Sequence, residues 1–147
     1  DRIESRGLGD VYKRQEDMPA VWASELQKRL TPSVISIADT IGAADPELVE
    51  RVFSTVVTEV GHEIVGAHLH IHPMEGLEKI KAAHRGGCFR MDGALRGVGG
   101  CPMAQDDLVG NVPTEWIVEW AGKSGLWQPA QPQALDQALS LAADLFA

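Results

Sequence analysis

The chain has 147 residues, enough for one domain with one modest core. Hydrophobic residues make up 44% and charged residues 23%, an ordinary globular balance that excludes a wholly disordered chain. Thirteen Lys and Arg against twenty-one Asp and Glu give a net charge of -8, which argues against a nucleic-acid backbone binder. No apolar run reaches the roughly 18 residues of a membrane-spanning helix, and no basic start leads into an apolar signal core. An acidic cytoplasmic protein is the expectation, with Cys88 and Cys101 as free thiols.

The first fifteen residues, DRIESRGLGDVYKRQ, carry seven charges and no sustained apolar period. DVYKRQ also resembles adapter sequence read as protein, so residues 1–15 are expected to be a non-native or disordered leader. From there helices and short strands alternate. Residues 17–30 place Met18, Val21, Trp22, Leu26 and Leu30 at helical spacing, and Pro32 stops that helix. Residues 33–38 (SVISIA) read as a buried strand. Asp45-Pro46 opens a helix running to about Glu59. Residues 63–70 (EIVGAHLH) read as a second strand. A helix from Pro73 to about His84 follows, with Leu77, Ile80 and Lys81 on successive turns, and Gly86-Gly87 ends it. Residues 88–94 (CFRMDGA) read as a third strand. A glycine-rich loop through Asn111, a helix over 113–121 and an amphipathic helix over 131–147 complete the chain.

Strands alternating with single helices imply βαβ units and a parallel sheet, in a doubly wound fold or in part of a (β/α)₈ barrel. No phosphate-binding glycine motif follows the first strand, which disfavours nucleotide-binding versions. Three strands cannot close a barrel, so a barrel reading makes this its back end.

In parallel α/β folds the chemistry collects where strands end, and all three strands here end in polar residues: Asp39-Thr40, His68-Leu69-His70 and Asp92. Two residues apart on a strand, His68 and His70 point to one face and together suit a divalent metal completed by oxygen ligands. Taken alone, a His-x-His pair is more often a polar fringe. His72 continues the alternation but enters the next helix, and reads as a neighbour. Asp39 suits a ligand, a base, or the cap of its own turn. Cys101, behind Gly97, Gly99 and Gly100, stands where backbone can approach a ligand closely and a thiol can move protons. Cys88 reads as a small buried hydrophobe. Asn111 offers an amide oxygen to a metal.

Three blocks then resemble a known family, the hydroxymethylglutaryl-CoA lyases, metallolyases built on a (β/α)₈ TIM barrel. SIADTIG (36–42) resembles that family's sixth strand, and GAHLH (66–70) its seventh strand with the metal-binding histidines. GVGGCPMAQDDLVGN (97–111) resembles the loop that bears its catalytic cysteine and ends in an asparagine ligand. MDGALRG (91–97) and VPTE (112–115) are similar to the bacterial type. The resemblance implies the C-terminal part of a TIM barrel, about three βα units plus C-terminal helices, with the N-terminal strands missing. Residues 16–128 would be the partial barrel and 129–147 a C-terminal helix. It implies His68, His70 and Asn111 as ligands of Mg²⁺ or Mn²⁺, and a catalytic set of Cys101, Asp39 and His68. The implied reaction is retro-Claisen cleavage of 3-hydroxy-3-methylglutaryl-CoA to acetoacetate and acetyl-CoA, as in leucine degradation. The partner would be a small-molecule acyl-CoA, with no nucleic acid or membrane, and a homodimer is left open for the full-length parent. The arginine, aspartate and glutamate of the family's first strand have no counterpart here, so the chain by itself is expected to be inactive. The alternatives are a related condensing synthase of the isopropylmalate or homocitrate type, which GGCP disfavours, and an inactive metal-binding fragment.

Overall fold

The computed structural model describes residues 8–100 and 109–146, and side chains from residue 17 onward within them. Its organising element is a strand, Val65–Ile71, flanked by two parallel neighbours, Ile35–Asp39 on one side and Arg90–Met91 on the other; in chain order these are β1, β2 and β3. The register runs from Ile35 opposite Val65 to Asp39 opposite Leu69, and β3 meets β2 at Gly66–Arg90 and Ala67–Met91. A short fourth strand, β4 (Gly110–Asn111), lies antiparallel on the far end of β2, with Asn111 opposite His70.

The helices are α1 (Leu8–Leu30), α2 (Pro46–Val60), α3 (Gly76–Arg85), α4 (Thr114–Lys123) and α5 (Pro132–Leu145). Helix α2 starts where its sequence dictates: the Asp45 carboxylate accepts the Leu48 amide at 2.7 Å, and Pro46 fills the first turn without wasting a donor. Its buried face is Val49, Phe53, Val56 and Val60. These pack with Val65, Ala67, Leu69 and Ile71 of β2, and with Ile80 and Ala83 of α3, into one core. Each large aliphatic or aromatic side chain taken out of water there contributes about 1.5–3 kcal/mol.

The opposite face of the sheet carries Ser36, Ala38 and His68, and it is open: Ser36 and Ala38 are exposed and His68 partly so. A doubly wound sheet would be covered on both faces. Parallel strands that neighbour one another in chain order, with the core on one face only, make instead an open section of a (β/α)₈ barrel, whose uncovered face is the barrel's interior. Among the described residues no helix is long and apolar enough to cross a membrane.

Five local expectations are corrected. Helix α1 begins at Leu8 and runs through Pro19, nine residues ahead of the expected start. Its expected core face is the wrong one: Val21, Trp22 and Leu30 are 53%, 60% and 69% exposed, whereas Ala20, Ala23 and Ser24 are buried. Small residues let α1 lie close on α2, and Gln27 on the same face donates to the Val60 carbonyl at 3.3 Å. Helix α3 starts at Gly76, not Pro73, because residues 72–75 form a turn closed by the Glu75 amide on the His72 carbonyl. The third strand shrinks from seven expected residues to two, and β4 falls where a loop was expected.

Candidate functional site

The C-terminal ends of β1 and β2, the residue after β3, and β4 converge on the open face of the sheet. His68 and His70, two apart on β2, place their rings 5.3 Å apart and nearly perpendicular. On each ring Nδ1 faces an acceptor. For His70 it is the main-chain carbonyl of Asp39 at 3.3 Å, and for His68 the Asp92 carboxylate at 3.7 Å. Ser36 Oγ donates to the same Asp92 oxygen at 3.2 Å. At His70 this acceptor favours the tautomer that leaves the Nε2 lone pair outward, the usual preparation of a metal-ligating imidazole, whereas the His68–Asp92 approach is longer than a hydrogen bond.

Asn111 arrives from the other side through β4. Its side-chain amide donates to the carbonyls of Val98 and Gly99 at 3.0 and 3.1 Å, which leaves Oδ1 as the atom it can offer a cation. The backbone makes the same junction tight: the Asn111 amide donates to the Gly99 carbonyl at 3.1 Å. Gly97 has φ of +67°, and a Cβ there would stand 2.9 Å from the Asn111 carbonyl oxygen, so glycine is required. Cys101 lies outside the described residues, directly after Gly100.

Asp39 takes the capping alternative among its three. Its Oδ1 accepts the Ala43 amide at 3.0 Å, and its Oδ2 accepts the Ala44 amide at 3.2 Å and the Lys79 ammonium at 3.1 Å. It is the carbonyl of Asp39, not its carboxylate, that faces His70. Gly42, at φ of +67°, lets this turn press onto β2, since a Cβ there would stand 3.1 Å from the His70 carbonyl oxygen.

His72 stands apart from the pair, its Nδ1 accepting the Met74 amide at 3.3 Å. Cys88 is fully buried, with Sγ 3.1 Å from the Arg90 carbonyl oxygen, and burial pushes its thiol up to about 11. Two residues escaped the sequence reading as site members. Asp92 was visible only as a polar strand end. Lys79 gave no signal at all, because lysine on a helix reads as solvent-facing; it is fully buried, while Lys81 pairs with Glu78 at the surface.

The donor set is two imidazoles and one amide oxygen, which suits a hard or borderline divalent cation with positions left for oxygen ligands. Among the described residues no group of three His, Cys, Asp or Glu could hold a metal, so Asn111 is needed for a third protein ligand. A groove of about 520 Å³ between α3 and α4, walled by Met74, Leu77, Trp116 and Trp120, contains none of these residues.

Comparison with known proteins agrees with the open-barrel fold. A family model described as HMGL-like matches residues 3–141. A curated relative from Pseudomonas aeruginosa, named 3-hydroxy-3-isohexenylglutaryl-CoA/hydroxy-methylglutaryl-CoA lyase, is 31% identical over 110 residues, covering 75% of this chain and 35% of the relative. The solved HMG-CoA lyase of Brucella melitensis is similar with a TM-score of 0.78 at 25% identity, over 88% of this chain and 45% of that one. An Acinetobacter baumannii HMG-CoA lyase in complex with coenzyme A and 3-methylmalate has a TM-score of 0.68 at 34% identity, over 84% of this chain and 40% of that one. The chain therefore spans between about a third and a half of the length of these relatives.

Proposed function

The chain belongs to the HMGL-like family, and on that premise we propose that it is the C-terminal, metal-binding part of a hydroxymethylglutaryl-CoA lyase. The unit proposed to carry the chemistry is residues 16–128, with 129–147 as an added helix and 1–15 outside it. The observation that supports this most is the convergence of His68, His70 and Asn111 at one strand end, with the second polar atom of His70 and of Asn111 hydrogen-bonded and that of His68 facing Asp92 at 3.7 Å.

These three residues would hold Mg²⁺ or Mn²⁺. Such a cation supplies positive charge that polarises the hydroxyl and a carboxylate oxygen of the substrate. The proposed reaction removes the proton of the tertiary hydroxyl, breaks the adjacent C–C bond, and releases acetoacetate as the new carbonyl forms. The electron pair passes to the acetyl-CoA enolate, which takes up a proton at carbon. His68 would serve the step as a ligand of that cation through Nε2, its Nδ1 facing Asp92, and not as the carrier of the hydroxyl proton. Asp39 joins that acid–base chemistry only as far as Lys79 and two amides release its carboxylate. Cys101, on the segment between Gly100 and β4, is proposed to deliver the last proton. The acyl-CoA class draws support from the Acinetobacter baumannii lyase in complex with coenzyme A, and leucine degradation is the route such a cleavage would serve.

A second reading changes only the substrate. The Pseudomonas aeruginosa relative is named for an isohexenyl-bearing glutaryl-CoA as well, so a longer group at C3 is compatible with the same machinery. One experiment addresses both: this segment, in a barrel completed with its missing strands, is given Mn²⁺ and each thioester, and acetoacetate or its longer homologue is measured. Cleavage of neither, or condensation of acetyl-CoA with a 2-oxo acid instead, overturns the lyase proposal.

A further inference from the structure

We infer that Lys79 is a positioning residue for the metal-binding end of β2, acting through Asp39 on the ring of His70. The inference rests on the proposed reading of His70 as a ligand. Lys79 is 0% exposed, yet it sits on α3 where an aliphatic side chain would fill the same core. A buried ammonium is costly unless paired, and a well-packed apolar residue is often at least as stabilising as a buried pair. Stability alone therefore does not explain a lysine here, whereas geometry does.

Its Nζ donates to Asp39 Oδ2 at 3.1 Å and to the Gly42 carbonyl at 2.8 Å, spanning both ends of the turn that follows β1. The amides of Ala43 and Ala44 close the same carboxylate from the other side. Four donor contacts thus fix residues 39–44 as one rigid loop. That loop presents two things to His70: the Asp39 carbonyl at Nδ1, 3.3 Å away, and the Gly42 backbone against the His70 carbonyl. Lys79 stands nine residues after His70 in the same strand–helix unit, so the element that carries the ligand also carries the residue that fixes it. Without the ammonium the turn loses a contact at each end, and only the Gly42 amide, at 3.3 Å, and the β1–β2 pairing still hold the Asp39 carbonyl toward Nδ1.

The test uses the 147-residue chain with Lys79→Met, and with the double change Lys79→Met/Asp39→Asn, which leaves no uncompensated buried charge. Histidine ¹⁵N–¹H correlation spectra of the metal-free protein read the His70 tautomer, and Mn²⁺ titration reads affinity. The expected result is a single Nδ1–H tautomer in the unsubstituted chain, mixed tautomers in the folded double variant, and Mn²⁺ binding weakened about 10- to 100-fold. A double variant that keeps the single tautomer and full affinity overturns the inference. So does one that no longer folds, since Lys79 would then serve the core itself. If the unsubstituted chain binds no Mn²⁺, the tautomer spectra alone decide the role of Lys79, and Mn²⁺ titration of the completed barrel decides the ligand reading.

Discussion

His68 and Asp92 face one another across neighbouring strands, Nδ1 to Oδ2 at 3.7 Å, and Ser36 holds that same carboxylate oxygen at 3.2 Å. The three residues come from β2, from just beyond β3 and from β1, so the contact exists only because the parallel register aligns Ser36 with Gly66 and Met91 with Ala67. The carboxylate thus stands beside Nδ1 of His68, close enough to attract its N–H electrostatically though beyond hydrogen-bond distance. Asp92→Asn should weaken Mn²⁺ binding by about ten-fold or more in a completed barrel, as loss of a group orienting a ligating imidazole does elsewhere. Calorimetric titration measures it, and unchanged affinity would detach Asp92 from the site.

The histidines themselves should separate cleanly. His68→Ala and His70→Ala are expected to reduce metal affinity and turnover together. His72→Ala should spare both, because its ring is committed to the Met74 amide at the turn before α3. Losing that bond should cost about 0.5–1.5 kcal/mol of stability. Equal losses of metal binding at all three positions would show that the ligand pair is wrongly assigned.

How far the sequence carried this picture depends on whether each signal was local. Strand β2 is an apolar run with a polar end, and α2 has its own cap and proline, so both were readable from their residues. The two histidines were readable because strand alternation alone puts them on one face. Helix α1 offers two plausible stripes, one of large residues and one of Ala20, Ala23 and Ser24; close packing on α2 selects the small one, and periodicity cannot. Strand β4 is two residues, Gly110 and Asn111, made a strand only by the end of β2. Lys79 is the clearest loss, since its partner lies 40 positions away and nothing near it in sequence marks it as buried.

The chain alone should give no measurable acetoacetate from 3-hydroxy-3-methylglutaryl-CoA with Mg²⁺ or Mn²⁺. It spans 35–45% of its relatives, and its sheet displays one uncovered face with unpaired outer edges among the described residues. Each missing donor to developing negative charge typically costs about 10²–10³ in rate. Robust acetoacetate formation by the purified chain would defeat this expectation.

Alkaline stability should expose Cys88. Its folded thiol is pushed up to about 11 by burial, from an ordinary value of 9.0. The unfolded chain therefore releases this proton first as pH rises, and the stability that the neutral buried thiol contributes is complete below 9 and lost through 11. The loss amounts to about 2–3 kcal/mol. Urea midpoints from pH 8 to 11 should fall more steeply for the unsubstituted chain than for Cys88→Ala, and parallel curves would contradict the assignment.

The two cysteines should finally part by role. Cys88 is sealed in the core against the Val65 and Arg90 carbonyls. Cys88→Ser leaves its hydroxyl the Arg90 carbonyl as acceptor, so it should cost less than the roughly 1–3 kcal/mol of an unpaired buried hydroxyl while sparing the chemical step. Cys101 follows three glycines within residues 97–100, a segment whose end is tied to Asn111, the proposed third ligand. In a completed barrel Cys101→Ser should keep the denaturation midpoint and lose about 10²–10⁴ in turnover, because a serine hydroxyl is far less acidic than a thiol and fails as a proton donor. Turnover at saturating substrate and the urea midpoint of each variant form the pair of measurements. If Cys101→Ser turns over normally, the final proton comes from elsewhere, and the GGCP segment loses its proposed chemical role even if His68, His70 and Asn111 still bind metal.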